Sequence, residues 1–134
     1  MNSYRWESHT ADAQLIIQGR QEADLFQQGL HGVYAFMEPV KTEREAPIVN
    51  LNLDGRDMTQ LLVDFLSNVV TWSAVHKAYY HTLVIKTITH NHLVGILEGH
   101  HVECFGKDIK AVTHHEAAIK RVEGHLEASI IFDI

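Results

Sequence analysis

Between Asp57 and Trp72 the chain carries Leu61, Leu62, Phe65, Leu66, Val69 and Val70, apolar residues recurring at three- and four-residue steps. No other feature constrains the fold as strongly. A helix with so wide an apolar face is stable only when another layer covers it, because packing supplies most of its stabilisation. Asp57-x-x-Gln60 opens the helix as a variant of the capping box, and the pattern predicts that it fades near Tyr79. A second amphipathic helix is predicted over Gln21 to Met37, where Ala23, Phe26, Leu30, Val33, Tyr34 and Met37 fall on one side. Gly29 and Gly32 weaken that helix, by up to ~1 kcal/mol each relative to alanine, unless close packing needs them.

The covering layer must be sheet. Ala13, Leu15 and Ile17 alternate with Gln14, Ile16 and Gln18 before Gly19, and Leu126, Ala128, Ile130 and Phe132 alternate with His125, Glu127, Ser129, Ile131 and Asp133. Such alternation marks half-buried strands. Further strands are predicted over Ile48 to Leu53, Thr82 to Thr89, His92 to Cys104 and Val112 to Val122, with a hairpin at His90-Asn91-His92. Glu38 to Pro47, two prolines amid charges, reads as a loop. The order β-α-β-α-β-β-β-β gives an α+β fold in which two helices pack on a largely antiparallel β-sheet. At 134 residues, 46% apolar and 21% charged, the chain suits one globular domain, residues 1–134.

Composition excludes several functions. Seventeen acidic residues against eleven basic ones give a net charge of −6, so the chain is not expected to hold RNA or DNA on its own surface. A basic protein partner stays open, since complementary potentials steer association. No stretch approaches the ~20 apolar residues that a bilayer requires. The segment MNSYRWESHTAD has neither a basic nor an apolar leader region, and Cys104 has no second cysteine to pair with, so a reducing cytoplasm is expected. Cys104 itself is expected to be a small buried hydrophobe. The eleven histidines include the pairs His90/His92, His100/His101 and His114/His115, but HExxH and cysteine pairs are absent, and these read as surface histidines.

Two carboxylates stand out. Asp12 precedes the first long strand, Asp133 closes the last, and each lies on the polar parity of its strand. Should the strand ends be neighbours, the carboxylates converge and Ile134 adds a backbone or terminal oxygen beside them. An all-oxygen set suits Ca²⁺, Mg²⁺ or Mn²⁺ rather than zinc. The alternative is a pair of solvated strand-end aspartates. Lys110 is open in the same way: a solvated strand residue, or an ammonium that holds a nucleotide phosphate or pairs with an aspartate.

Three stretches in order, His9-Thr10-Ala11-Asp12, Lys110-Ala111-Val112-Thr113-His114-His115 and Ile131-Phe132-Asp133-Ile134, together with the helix from Asp57 to Trp72, resemble the archease family over nearly the whole chain. The resemblance implies a cytosolic accessory protein, not an enzyme. Archeases activate the RNA-splicing ligase that uses GTP and Mn²⁺ in tRNA splicing and RNA repair, promoting its guanylylation and multiple turnover. RNA and GTP are then met only through the ligase. The family's metal site carries over onto Asp12 and Asp133, with main-chain oxygen from Ile134, and its functional lysine onto Lys110. The chain departs from the family at His114, usually Tyr, and near Phe65, usually Trp. It also has a short segment Cys104-Phe105-Gly106-Lys107-Asp108, so that any acidic ligand from that loop would be Asp108 or Glu103. The rival readings are a small divalent-metal-dependent hydrolase and a chaperone-like adaptor with an exposed apolar surface.

Overall fold

The computed structural model describes residues 2–8 and 11–134. Both helices form where the apolar periodicity puts them, α1 over Glu22–Met37 and α2 over Met58–His76. The Asp57 carboxylate accepts the Gln60 backbone N–H at 2.8 Å, satisfying a first-turn donor of α2. Asp24 reaches back to the Gln21 N–H at 3.1 Å and does the same for α1. Each helix stops on a left-handed residue, Glu38 (φ 53°) and Lys77 (φ 50°), whose N–H bonds the carbonyl of Tyr34 or Ser73. Neither stop is glycine, so no residue type marks the end of α2 at His76, short of Tyr79 where the apolar pattern fades.

The helical glycines are explained by contact. A Cβ on Gly32 would stand 3.0 Å from Leu15 Cδ1, and one on Gly29 would stand 3.2 Å from Leu66 Cδ2. Trp6 Nε1–H also donates to the Gly32 carbonyl at 2.9 Å. Glycine therefore lets α1 approach the sheet and α2 more closely than alanine would.

Nine strands accompany the helices among the described residues: β1 Ser3–Ser8, β2 Asp12–Gly19, β3 Pro39–Glu45, β4 Val49–Asp54, β5 Ala78–Ile88, β6 His92–Phe105, β7 Ala111–Val112, β8 Ala118–Val122 and β9 His125–Asp133. All the pairings are antiparallel. The α+β class holds, but the strands divide into two sheets. The first runs β1-β2-β9, with β7 and β8 sharing the other edge of β9. In the second, β6 pairs β5 on one edge and both β3 and β4 on the other: Leu97 lies opposite Leu83 and Val49, His100 opposite Tyr79 and Glu45.

Three expectations need correction. The stretch Glu38 to Pro47 is largely strand β3: Pro39 begins it, where a missing N–H is tolerated, and its charges sit on an edge that charge protects. The stretch Val112 to Val122 is two short strands broken at Thr113 to Ala117, where Glu116 takes φ 55°. Cys104 is exposed, not buried. It lies opposite Val40 near the end of β6, where residues on that face of the sheet meet solvent. Strand β1, with its half-buried Trp6, is an addition to the predicted order.

The inner faces of both sheets meet the helices. Leu15, Ile17, Ala128, Ile130 and Phe132 from the first sheet, Leu51, Leu83, Leu93 and Leu97 from the second, and Leu25, Phe26, Leu30, Leu61, Leu62, Phe65 and Leu66 from the helices form one contiguous cluster. Helix α1 touches β2 and β5, and α2 touches β7 and β5, so each helix is held by both sheets. No helix among the described residues is long and apolar enough to cross a membrane.

Candidate functional site

The alternation of β9, strict from His125 to Phe132, and that of β2, broken only by the buried Ile16, decide which residues can meet. Ala13, Leu15 and Ile17 point into the core, which turns Asp12, Gln14 and Gln18 outward, and in β9 Leu126, Ala128, Ile130 and Phe132 turn Asp133 and Ile131 outward in the same way. The two strands pair from Asp12↔Asp133 to Gly19↔Leu126. Asp12 and Asp133 are thus direct cross-strand partners, and side chains so placed share a face with Cβ atoms about 5 Å apart. Sequence brings the two carboxylates only to the ends of their strands; the register joins them.

Neighbouring backbone fixes this end of the sheet. The Lys110 N–H donates to the Asp133 carbonyl at 2.8 Å, Thr113 N–H to the Ile131 carbonyl at 2.9 Å, and Ile134 N–H to the Ala11 carbonyl at 3.5 Å. Lys110 and Ile134 are therefore tied to the two aspartate strands by main chain. The Lys110 side chain is exposed. Among the described residues, neither aspartate is ion-paired with a Lys, Arg or His side chain. His9 and Thr10 of the His9-Thr10-Ala11-Asp12 stretch lie outside the described residues.

Asp12 lines a concavity of about 410 Å³ with Gln14, Ile131, His115 and Glu116. Gln14 is held in place by a hydrogen bond to Ser129, and His115 Nε2 lies 3.8 Å from Glu116 Oε1. His114 leaves the concavity and pairs with Asp64 of α2 at 3.3 Å. Glu116 carries no signal in the sequence, because it enters through a left-handed turn that neither glycine nor asparagine marks; Gln14 shares the strand face of Asp12. Glu103, a candidate acidic ligand, lines a different concavity with Arg44 and Lys77. Asp108 is exposed and does not line the concavity of Asp12.

The oxygens at this end of the sheet are those of the Asp12 and Asp133 carboxylates, the Gln14 amide and the main chain of Ile134. Among the described residues, no group of three or more His, Cys, Asp or Glu side chains is arranged around a common metal position. A hard cation whose shell is completed by main-chain oxygen and water fits such a pair, and a soft-ligand zinc site does not. Opposed like charges destabilise a bare cross-strand pair, and a bound cation would remove that repulsion. Three of the histidines are engaged elsewhere: His81 Nε2 meets His100 Nδ1 at 3.0 Å, and His92 Nε2 meets Asn52 at 2.6 Å.

A small two-helix, two-sheet α+β protein with paired strand-end carboxylates is the class that fold and site define. A model of the archease protein family (MTH1598/TM1083) matches residues 4–134, and the chain belongs to that family. It is 24% identical to the protein archease of Thermoplasma acidophilum, over 98% of this chain and 94% of that one. The solution structure of Methanobacterium thermoautotrophicum protein 1598 is similar with a TM-score of 0.72 and 21% identity, covering 98% of both chains. The 2.0 Å crystal structure of an archease, possible chaperone, from Thermotoga maritima gives a TM-score of 0.71 and 17% identity, over 96% of this chain and 94% of that one.

Proposed function

We propose that this protein is a metal-binding accessory protein that activates a GTP- and Mn²⁺-dependent RNA-splicing ligase in the cytoplasm, promoting guanylylation and multiple turnover in tRNA splicing and RNA repair. It is not itself a catalyst. The observation that carries this reading is the direct pairing of Asp12 with Asp133, in a chain that belongs to the archease family. Asp12, Asp133 and the main-chain oxygen of Ile134 hold Ca²⁺, Mg²⁺ or Mn²⁺, with water completing the shell. Lys110, tied by its N–H to Asp133, presents an ammonium to the partner's nucleotide phosphates; such a compact charge neutralises phosphate without demanding one geometry.

The test is an RNA ligase assay with GTP and Mn²⁺, run with and without this protein. Wild-type protein should raise guanylylation and the number of turnovers. Asp12→Ala, Asp133→Ala and Lys110→Ala should each bring the rate back toward that of ligase alone, with circular dichroism unchanged. Calorimetry should show loss of divalent-ion binding for the two aspartate variants only. An aspartate variant that binds the ion with unchanged affinity overturns the site, and phosphoester turnover by the isolated protein would point to the hydrolase reading instead.

A chaperone-like second reading has one observation in its favour. Ile48 and Val84 are 56% and 41% exposed, and Val84 lies opposite the half-buried Ile96 on the outer face of the second sheet. Suppression of aggregation of an unfolded client, lost in Val84→Ser, would support it.

A further inference from the structure

A group of four cationic or imidazole side chains around one concavity lies away from the acidic strand ends. Arg44 of β3, His76 and Lys77 at the end of α2, and His101 of β6 line a concavity of about 460 Å³, with Glu103 as its only anion. Three elements thus bring cation or N–H donors together in a chain whose net charge is −6. Among the described residues, neither Arg44 nor Lys77 makes an ion pair, with Glu103 or with any other carboxylate. Asp64, which holds the His114 loop, and Lys77 stand about 20 Å apart along α2, so this concavity is separate from the aspartate pair.

The local structure is specific to this arrangement. The β3–β6 register is irregular between Lys41 and Glu45, and the Thr42 hydroxyl spans the irregularity, donating to the His101 carbonyl and accepting the Arg44 N–H, both at 3.1 Å. Irregularities of this kind re-aim side chains, and Arg44 lines the concavity as a result. Lys77 occupies the left-handed stop of α2 at φ 50°, where glycine is the ordinary residue. Its carbonyl accepts the Val102 N–H at 2.8 Å, which binds the helix end to β6.

We propose that this concavity is a second binding site, one for the phosphate group of a small phosphorylated molecule. Arg44 supplies a planar two-pronged donor, Lys77 a compact charge, and His76 and His101 further N–H donors from other directions. Donors arriving from several sides match a tetrahedral phosphate better than a planar carboxylate. The volume falls in the range of small-molecule sites. Val75, 69% exposed at the rim, offers an apolar wall to an attached organic group, and Glu103 can accept one of its hydroxyls. The site makes no use of the aspartate pair and does not depend on the ligase reading.

The experiment is a titration followed by amide NMR, in chelator-treated buffer so that no divalent ion carries phosphate to the aspartates. The probes are inorganic pyrophosphate and a nucleoside diphosphate. Shifts should cluster at Thr42 to Arg44, His76 to Lys77 and His101 to Glu103. Arg44→Gln and Lys77→Gly should each weaken pyrophosphate binding roughly fivefold or more, and Glu103→Gln should tighten it, with all effects reduced by salt. Lys77→Gly keeps the fold, because glycine favours the left-handed stop, and Asp12→Asn should bind like wild type. Tighter binding of the diphosphate identifies a nucleotide-like occupant, and equal binding identifies free oligophosphate. Shifts centred elsewhere, or affinities unchanged in both Arg44→Gln and Lys77→Gly, overturn the proposal.

Discussion

At the residue scale, Asp12 and Asp133 could be picked out because both are polar and both end a strand, yet their union depends on a register between segments at opposite ends of the sequence. A slip of one position would have turned one of them to the core. Glu116 could not be picked out, since it reaches the concavity through a left-handed turn that no motif announces, whereas Gln14 shares the polar parity of Asp12 and only the concavity gives it a place beside that residue. The histidines illustrate the same limit. His81 looked like one surface histidine among eleven, but it is half-buried, bonded to His100 at 3.0 Å and to Thr82 at 2.7 Å. Burial, and then the nearby His100 and Lys41, hold its imidazole below the usual histidine value. The folded state therefore binds this proton less readily than the unfolded chain. The stability that goes with neutral His81 is present above about pH 6.5 and is lost as pH falls through its lower folded value. Denaturant midpoints measured from pH 8 to pH 5 should fall for wild type and fall less steeply for His81→Asn. Parallel profiles would show that this imidazole pair does not contribute to acid sensitivity.

At the element scale, the apolar stripe of α2 gave the helix and its buried face, and the alternation in β2 and β9 gave two strands and their inner residues. What stayed hidden was β3, because prolines and charges on an edge strand look like a loop, and the division into two sheets, because pairing partners are not written in local pattern. Leu62 and Phe65 are fully buried, and Phe65 meets Phe26 edge-on with ring centroids 5.4 Å apart. Truncating either to alanine should destabilise by about 2–5 kcal/mol through lost burial and residual cavity. An unchanged denaturant midpoint would place the stripe outside the core. A smaller, polar contribution ties the same layers together: Tyr34 of α1 shares a 2.5 Å hydrogen bond with Ser73 of α2 and accepts the Tyr80 N–H of β5 at 3.1 Å. Its phenol is buried, which pushes its pKa well above the usual tyrosine range, so the group stays neutral. Tyr34→Phe leaves the Ser73 hydroxyl and the Tyr80 N–H unpaired in the core, and should cost about 1–3 kcal/mol. Chemical denaturation that shows no loss would mean that water or a neighbour re-satisfies both.

At the scale of the whole molecule, a net charge of −6 attracts divalent ions to the protein without regard to site, so metal binding at the aspartate pair must be separated from a general cation effect. Salt does this, since exposed charges farther apart than ~8 Å are largely screened at physiological ionic strength, whereas a coordinated ion stays bound. A ligand that binds only the folded state stabilises it by about 2.7 kcal/mol at a concentration of one hundred times its Kd. For a domain of this size that is about 10 °C in Tm. Wild-type protein in about 0.15 M KCl should therefore melt about 10 °C higher with saturating Ca²⁺ or Mn²⁺ than with chelator. Asp12→Asn should show almost none of this rise. In chelator the same variant should melt at or slightly above wild type, because removing one of two opposed carboxylates relieves their repulsion by up to ~1 kcal/mol. Calcium is the decisive ion, since a hard cation takes oxygen ligands and leaves the histidines alone. A calcium-dependent rise that survives in Asp12→Asn would move the ion to another part of the surface, and a variant that melts far below wild type in chelator would make Asp12 a structural residue.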